Sequence, residues 1–461
     1  MITNKENKIW TLFLVVVGFL CLLLLRYSQS DIIKITMLHT ANICAMLSVI
    51  SYKKSINKYE ISIFCFLCVQ YLFTVTPGPS SMNDIVSTSY LLSYRYGASS
   101  RSLIPTIIDF FTNGGFISKY FVWNFIFCTT IFLSFIISVY LGTIIQRWQK
   151  DNDLKIFTIF LTLLYLSCFV SPAAYYGVEN FGRFEIFAFL FMLILVVIID
   201  KPIIRWLVPL LALLVLATHI MFVIMYIPFV IIMLLYEIFT KTGEKKQSIL
   251  LLAVTLLIIF SALLLYVLFY KQTFVFGDAQ SFSEYLSTKT DLIFNKNLVH
   301  AMMYSELQDH KIEYNSRVSV LFSGNLTILI NIPLIILFIF FWLKCYFNEK
   351  KKIMKFFFLL PILILPFQSL TFFMFFDFGR YIIMMLSIQF MLIFYFIYVK
   401  NETVLLVARK TIPFIKRNAF FIILIFLTMM FLGPITEIAP GERIFSAFQR
   451  YGKIINKILG H

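Results

Sequence analysis

The chain has 461 residues, of which 60% are hydrophobic and 13% charged, and it carries a formal net charge of +16. An ordinary soluble domain has about a quarter charged residues, so this chain cannot cover itself with polar surface, and a soluble globular fold is excluded. In a soluble chain the excess of lysine and arginine would point to nucleic acid; here it marks membrane topology and no nucleic-acid partner is expected.

Uncharged runs near the roughly 20 residues a helix needs to cross a bilayer recur along the whole sequence. Inside lipid each segment must satisfy its own backbone, and the runs lack the alternation of barrel strands, so the expected fold is all-α and polytopic. Cytoplasmic connections are enriched in lysine and arginine, so successive basic groups should be separated by an even number of passes. The first run, Thr11 to Leu25, follows Lys5 and Lys8 and reads as a retained anchor; a return pass reaches Lys53, Lys54 and Lys58. Ile61 to Ser81 and Phe121 to Ile145 lead to Arg147, Lys150 and Lys155, and Ile156 to Tyr176 with the segment after Glu185 leads to Lys201 and Arg205.

Trp206 to Tyr236 spans 31 residues, about 46 Å as one helix and too long for a single pass. Parity predicts a hairpin turning near His219, because one pass would put Lys241, Lys245 and Lys246 outside. Ser248 to Tyr270 and Val318 to Leu343 then lead to Lys344 and Lys350 to Lys352. Phe356 to Phe376 and Tyr381 to Val399 return to Lys400, Arg409, Lys410, Lys416 and Arg417, and Ala419 to Thr436 crosses last. The expectation is one transmembrane domain over 1–461 with about 13 passes, N-terminus cytoplasmic.

Two outer connections are long, 76–120 and 271–317, and loops of such length usually carry a function. The first contains an apolar but charge-punctuated stretch, Ile85 to Phe111, predicted as one or two helices lying on the membrane. The second has helical runs from Phe282 and Leu298. The tail, 437–461, reads as a surface amphipathic helix.

The same parity places nearly every titratable residue of interest at the outer side, and ionisable groups at membrane depth are functional candidates by default. In Tyr94-Arg95-Tyr96-Gly97 and Arg101-Ser102-Leu103-Ile104-Pro105, arginine forks suit phosphate and tyrosine planes suit sugar, although an arginine can simply snorkel to headgroups. Glu179-Asn180-Phe181-Gly182-Arg183-Phe184-Glu185 places an arginine between two acids, either as a structural pair or as a held general base. His219 is a packing histidine, a proton acceptor or a diphosphate contact. Asp377 and Arg380 are three apart, so they pair on one helical face or face a shared cavity. All seven cysteines lie in or beside apolar runs, and Cys65-Phe66-Leu67-Cys68 has no second pair, so no metal is expected. Walker, Rossmann, nucleophile-elbow and His-Glu-x-x-His motifs are absent, so no cofactor is expected and any chemistry must use energy already in the substrate.

On these residues the chain resembles bacterial O-antigen or capsule polymerases and the related membrane glycosyltransferases of the GT-C type. The resemblance rests on Tyr96-Gly97 followed by Arg101-Ser102-Leu103-Ile104, the Gly182-Arg183 step, His219 in an apolar helix pair, and Asp377-Phe378-Gly379-Arg380-Tyr381. It implies a polyprenyl-diphosphate-linked saccharide as substrate, membrane lipid around the protein and partners in a polysaccharide assembly complex. It further implies Asp84, Glu179, His219 and Asp377 as catalytic candidates, with Arg95, Tyr96, Arg101, Arg183 and Arg380 binding substrate. The GT-C pattern puts an acid in the first outer loop, here Asp84; the paired acids of many such enzymes are missing, which favours a metal-free polymerase. A flippase of lipid-linked saccharide would instead carry charges at mid-membrane depth, and a non-catalytic envelope component would tolerate lysine for arginine.

Overall fold

The computed structural model describes residues 4–74, 77–97, 101–168, 171, 180–269, 275–276, 278–296, 299, 326–369 and 378–432. Among them the fold is all-helical, with no strand and one isolated bridge between Ile117 and Thr290. The helices are α1 (Asn4–Leu25), α2 (Asp31–Lys53), α3 (Lys58–Thr74), α4 (Asp84–Ser89), α5 (Leu103–Phe111), α6 (Lys119–Arg147), α7 (Asn152–Ser167) and α8 (Glu185–Ile198). They continue as α9 (Val208–Thr218), α10 (Phe222–Thr240), α11 (Lys245–Phe269), α12 (Ala279–Lys289), α13 (Leu326–Asn348), α14 (Lys352–Ser369), α15 (Phe378–Tyr398), α16 (Glu402–Arg417) and α17 (Ala419–Leu432).

Eight of the described helices are long and apolar enough to cross a membrane, or nine if α16 and α17 form one bent span. The count of thirteen is therefore not established, since α3, α7, α8 and α9 are shorter than a full crossing. The protein is a multi-pass membrane protein by this test. α15 runs through the middle of the bundle, almost wholly enclosed, whereas α1 and α11 keep most of their surface outward, as lipid-facing helices do. Helices approach closely where small residues allow it: a side chain at Gly142 of α6 would stand 2.4 Å from Cγ of Glu60 at the start of α3.

Among the described residues, members of the basic groups gather at one end of this bundle. Lys53 pairs with the buried Glu60, and both bind Thr143 of α6, at 2.9 and 3.0 Å. Arg147 donates to the Tyr398 carbonyl at 2.7 Å and Lys201 to the Tyr398 hydroxyl at 3.3 Å. Thr403 donates to Glu349 at 2.6 Å, Arg409 pairs with Asp151 at 2.9 Å, and Lys416 with Asp153 at 3.1 Å. At this end α16 turns through 90° into α17, so α16 lies across the bundle while its buried face, from Val404 to Ile415, packs on it.

The predicted hairpin is present. α9 ends at Thr218, residues 219–221 form the turn, and α10 runs back, so that Arg205 before α9 pairs with Glu244 after α10 at 2.7 Å. His219 thus sits at the end opposite the basic groups.

That opposite end carries a crown made from both long connections. The first supplies two helices, α4 and α5, as expected, and each buries one face, with Val86, Tyr90, Ile104 and Ile108 in the main core. The second connection is stitched to the first. The Asn295 amide donates to Thr88 at 2.7 Å, the Ile117 amide to the Lys289 carbonyl at 2.8 Å, and the Val275 amide to the Tyr96 carbonyl at 3.0 Å. Phe276, Phe282 and Tyr285 surround Tyr96, with ring centroids 5.2–6.1 Å away. The helical run predicted from Leu298 and the tail helix of 437–461 fall outside the described residues.

Candidate functional site

One cavity in this crown brings together residues from four separate stretches of chain. Ser89 closes α4, Arg101 precedes α5, Arg183 and Glu185 lead into α8, and His219 forms the hairpin turn. Ile85, Val86, Gly182 and Phe184 complete its wall. The space between these residues, with the open solvent at its mouth included, is about 300 Å³. A saccharide or a lipid-linked chain must extend beyond it.

The turn that carries Arg183 and Glu185 is held by a glycine. Gly182 has φ +90°, and a Cβ there would lie 2.6 Å from Cδ1 of Ile126 on α6 and 3.0 Å from Cγ1 of Val86 on α4. Its carbonyl accepts a 2.6 Å hydrogen bond from the Tyr90 hydroxyl, and the Tyr90 ring meets Phe184 edge-on at 5.1 Å. Burial, reinforced by the Glu185 charge, raises Tyr90 well above its ordinary value, so the phenol stays protonated and remains a donor. The geometry of Arg183 and Glu185 is therefore set by contacts between α4, α6 and α8.

His219 is fixed differently. It caps α9 in extended backbone, is nearly buried, and lies 5.1 Å from the Phe222 ring. The Met221 amide donates to its Nδ1 at 3.1 Å. An amide can only donate, so Nδ1 holds a lone pair and the proton of the neutral ring is on Nε2. Further into the bundle Tyr226 is fully buried on α10, and its hydroxyl has no hydrogen-bond partner among the described residues.

The sequence candidates separate on this geometry. Arg101, Arg183 and His219 meet in the cavity. Asp84 heads α4 outside the cavity lining, where its Oδ2 accepts from the Asn295 side chain at 3.1 Å. Arg95 is largely exposed and 3.9 Å from Asp109 within the first long connection, and Tyr96 is enclosed by rings of the second. Arg380 is in the first turn of α15, but its side chain, like Glu179 and Asp377, lies outside the described residues. Glu185 is the cavity residue that the choice of Glu179 passes over; the alternation Glu179, Arg183, Glu185 marks both acids without saying which faces inward. Among the described residues no cluster of histidine, cysteine and acids could hold a metal ion.

Two half-buried guanidinium groups, a histidine N–H and a serine hydroxyl can hold a multiply charged anion, while a buried carboxylate beside them can accept a proton. No protein-family model, curated protein or solved structure matches the chain.

Proposed function

We propose that this protein is a membrane glycosyltransferase of the polysaccharide-polymerase type, acting at the outer face of the bacterial inner membrane on polyprenyl-diphosphate-linked saccharides. The observation that supports this is the meeting of Arg101, Arg183, Glu185 and His219 in one cavity, at the end of the bundle opposite the basic groups. With the lysine-rich end in the cytoplasm, as the charge rule requires, the cavity faces outward. Arg101 and Arg183 hold the diphosphate and oppose the charge that develops as it leaves. The lipid tail and the glycan extend away from these residues.

A flippase needs a route between the two faces, whereas here the centre of the bundle is filled by α15. The test is the surface glycan of producing cells carrying Arg101→Lys or Arg183→Lys. Loss of long chains with single repeats retained supports the polymerase. Accumulation of unexported precursor supports a flippase, and an unchanged ladder in both variants overturns both readings.

A further inference from the structure

The cavity holds two residues able to exchange a proton, and a histidine is the usual choice for the base. Its geometry here argues otherwise. Nδ1 of His219 is occupied as an acceptor by the Met221 amide, inside the turn that joins α9 to α10. The other ring nitrogen, Nε2, carries the hydrogen and has no lone pair to receive another. Taking a proton at Nδ1 would need that backbone bond to break and the turn to reshape. Among the described lining residues the carboxylate is that of Glu185, almost fully buried at the start of α8 and beside Arg183.

We infer that the two residues divide the chemistry: Glu185 accepts the proton of the attacking hydroxyl, and His219 donates through Nε2–H to the diphosphate. This rests on the glycosyl-transfer reading of the site. In the step, the acceptor hydroxyl gives its proton to the Glu185 carboxylate while its oxygen forms a bond to the anomeric carbon. The bond from that carbon to the diphosphate oxygen breaks, and its electron pair leaves with the diphosphate. Arg101, Arg183 and the His219 N–H meet the charge that appears there. No oxidant, metal or second cofactor is needed to balance it.

The two roles predict opposite results for two glutamine variants. His219→Gln keeps an N–H near the Nε2 position and should retain much of the polymer ladder. Glu185→Gln keeps the shape but not the base, and polymer formation should fall by about 10²–10⁴-fold. Binding of polyprenyl diphosphate to purified full-length protein should persist in both, showing folded sites. Glu185→Ala should recover activity with added formate, a small carboxylate that replaces a base but not a structural contact. The assignment is overturned if Glu185→Gln keeps the ladder, or if formate fails to restore a Glu185→Ala protein that still binds polyprenyl diphosphate. If the wild-type protein does not bind polyprenyl diphosphate, the glycosyl-transfer reading itself falls.

Discussion

Arg205 and Glu244 stand 39 residues apart in sequence and meet at 2.7 Å, closing the open end of the hairpin whose tip is His219. Arg205 is almost completely buried and also donates to Gln247 at 2.6 Å. Because Glu244 is partly exposed, solvent screens the pair, but its loss leaves a buried guanidinium short of an acceptor. Glu244→Gln should therefore cost about 1–2 kcal/mol, read as a lower midpoint of thermal unfolding in detergent. An unchanged midpoint would mean that Gln247 alone satisfies Arg205.

Gly182→Ala should disable the site while leaving the bundle assembled. The added methyl meets Ile126 at 2.6 Å in a backbone conformation that alanine resists. Overpacking of this kind costs about 1–3 kcal/mol, and the shift falls on the turn bearing Arg183 and Glu185. Expression and monodispersity should be retained and polymer lost; full activity would show that the turn tolerates displacement.

Two aspartates at opposite ends should respond to acid with opposite sign. Burial opposes ionisation of Asp151, yet hydrogen bonds from Arg409 and the Leu154 amide outweigh it and hold the carboxyl below its ordinary value of 3.8. Its contribution is thus present above the unfolded value and disappears as pH falls through the lower folded one. Asp109 is shifted upward, because burial outweighs the attraction of Arg95 and Lys289. Its contribution is greatest below the unfolded value and is lost as pH rises through the higher folded one. Asp109→Asn should thus keep or raise stability near neutral pH, whereas Asp151→Asn should lower it there and flatten the response to acid below about pH 4. Melting curves across pH compare the two.

Tyr226→Phe removes a buried hydroxyl that lacks a hydrogen-bond partner among the described residues. If nothing else binds that hydroxyl, the variant should be as stable as the wild type or more so, by up to about 1 kcal/mol, with its polymer ladder intact. A lower melting point would reveal an ordered water there, and loss of polymer at full stability would place the phenol in the reaction path.

Orientation can be read with cysteine labelling in intact cells. In a protein freed of its own thiols, a cysteine at the exposed Glu284 of α12 should react with a membrane-impermeant maleimide, and one at the exposed Lys351 should react only after lysis. The reverse pattern would invert the topology and, with it, the outward-facing site.

Much of this architecture is legible in the sequence because lipid imposes local rules. Each crossing must be apolar and helical, and each cytoplasmic turn basic, so counting charges located the hairpin at His219 without a Gly or Pro at the turn itself. The same counting placed Arg101, Arg183 and His219 at one end, where they share a cavity. The crown was less legible. Nothing periodic in Ile85 to Phe111 says that its helices pack under a second loop, and the bond between Thr88 and Asn295 leaves no local mark on either residue. Tyr96 looks like a sugar platform by type; only the rings of Phe276, Phe282 and Tyr285 show that it is covered. The 90° bend between α16 and α17 follows from a basic amphipathic helix meeting an apolar one, a junction that apolar-run counting treats as a plain connection.

The stitch between Thr88 and Asn295 spans 207 positions of chain. During synthesis, α4 leaves the ribosome long before its partner segment of the crown exists. At about 5–20 residues per second, some ten seconds or more separate the two. Over that interval the segments carrying Arg101, Arg183 and His219 are already made while the second connection has not yet covered α4. The cavity is thus completed late in synthesis, and a chain stalled before residue 295 would hold its arginines without the crown that shapes them into a site.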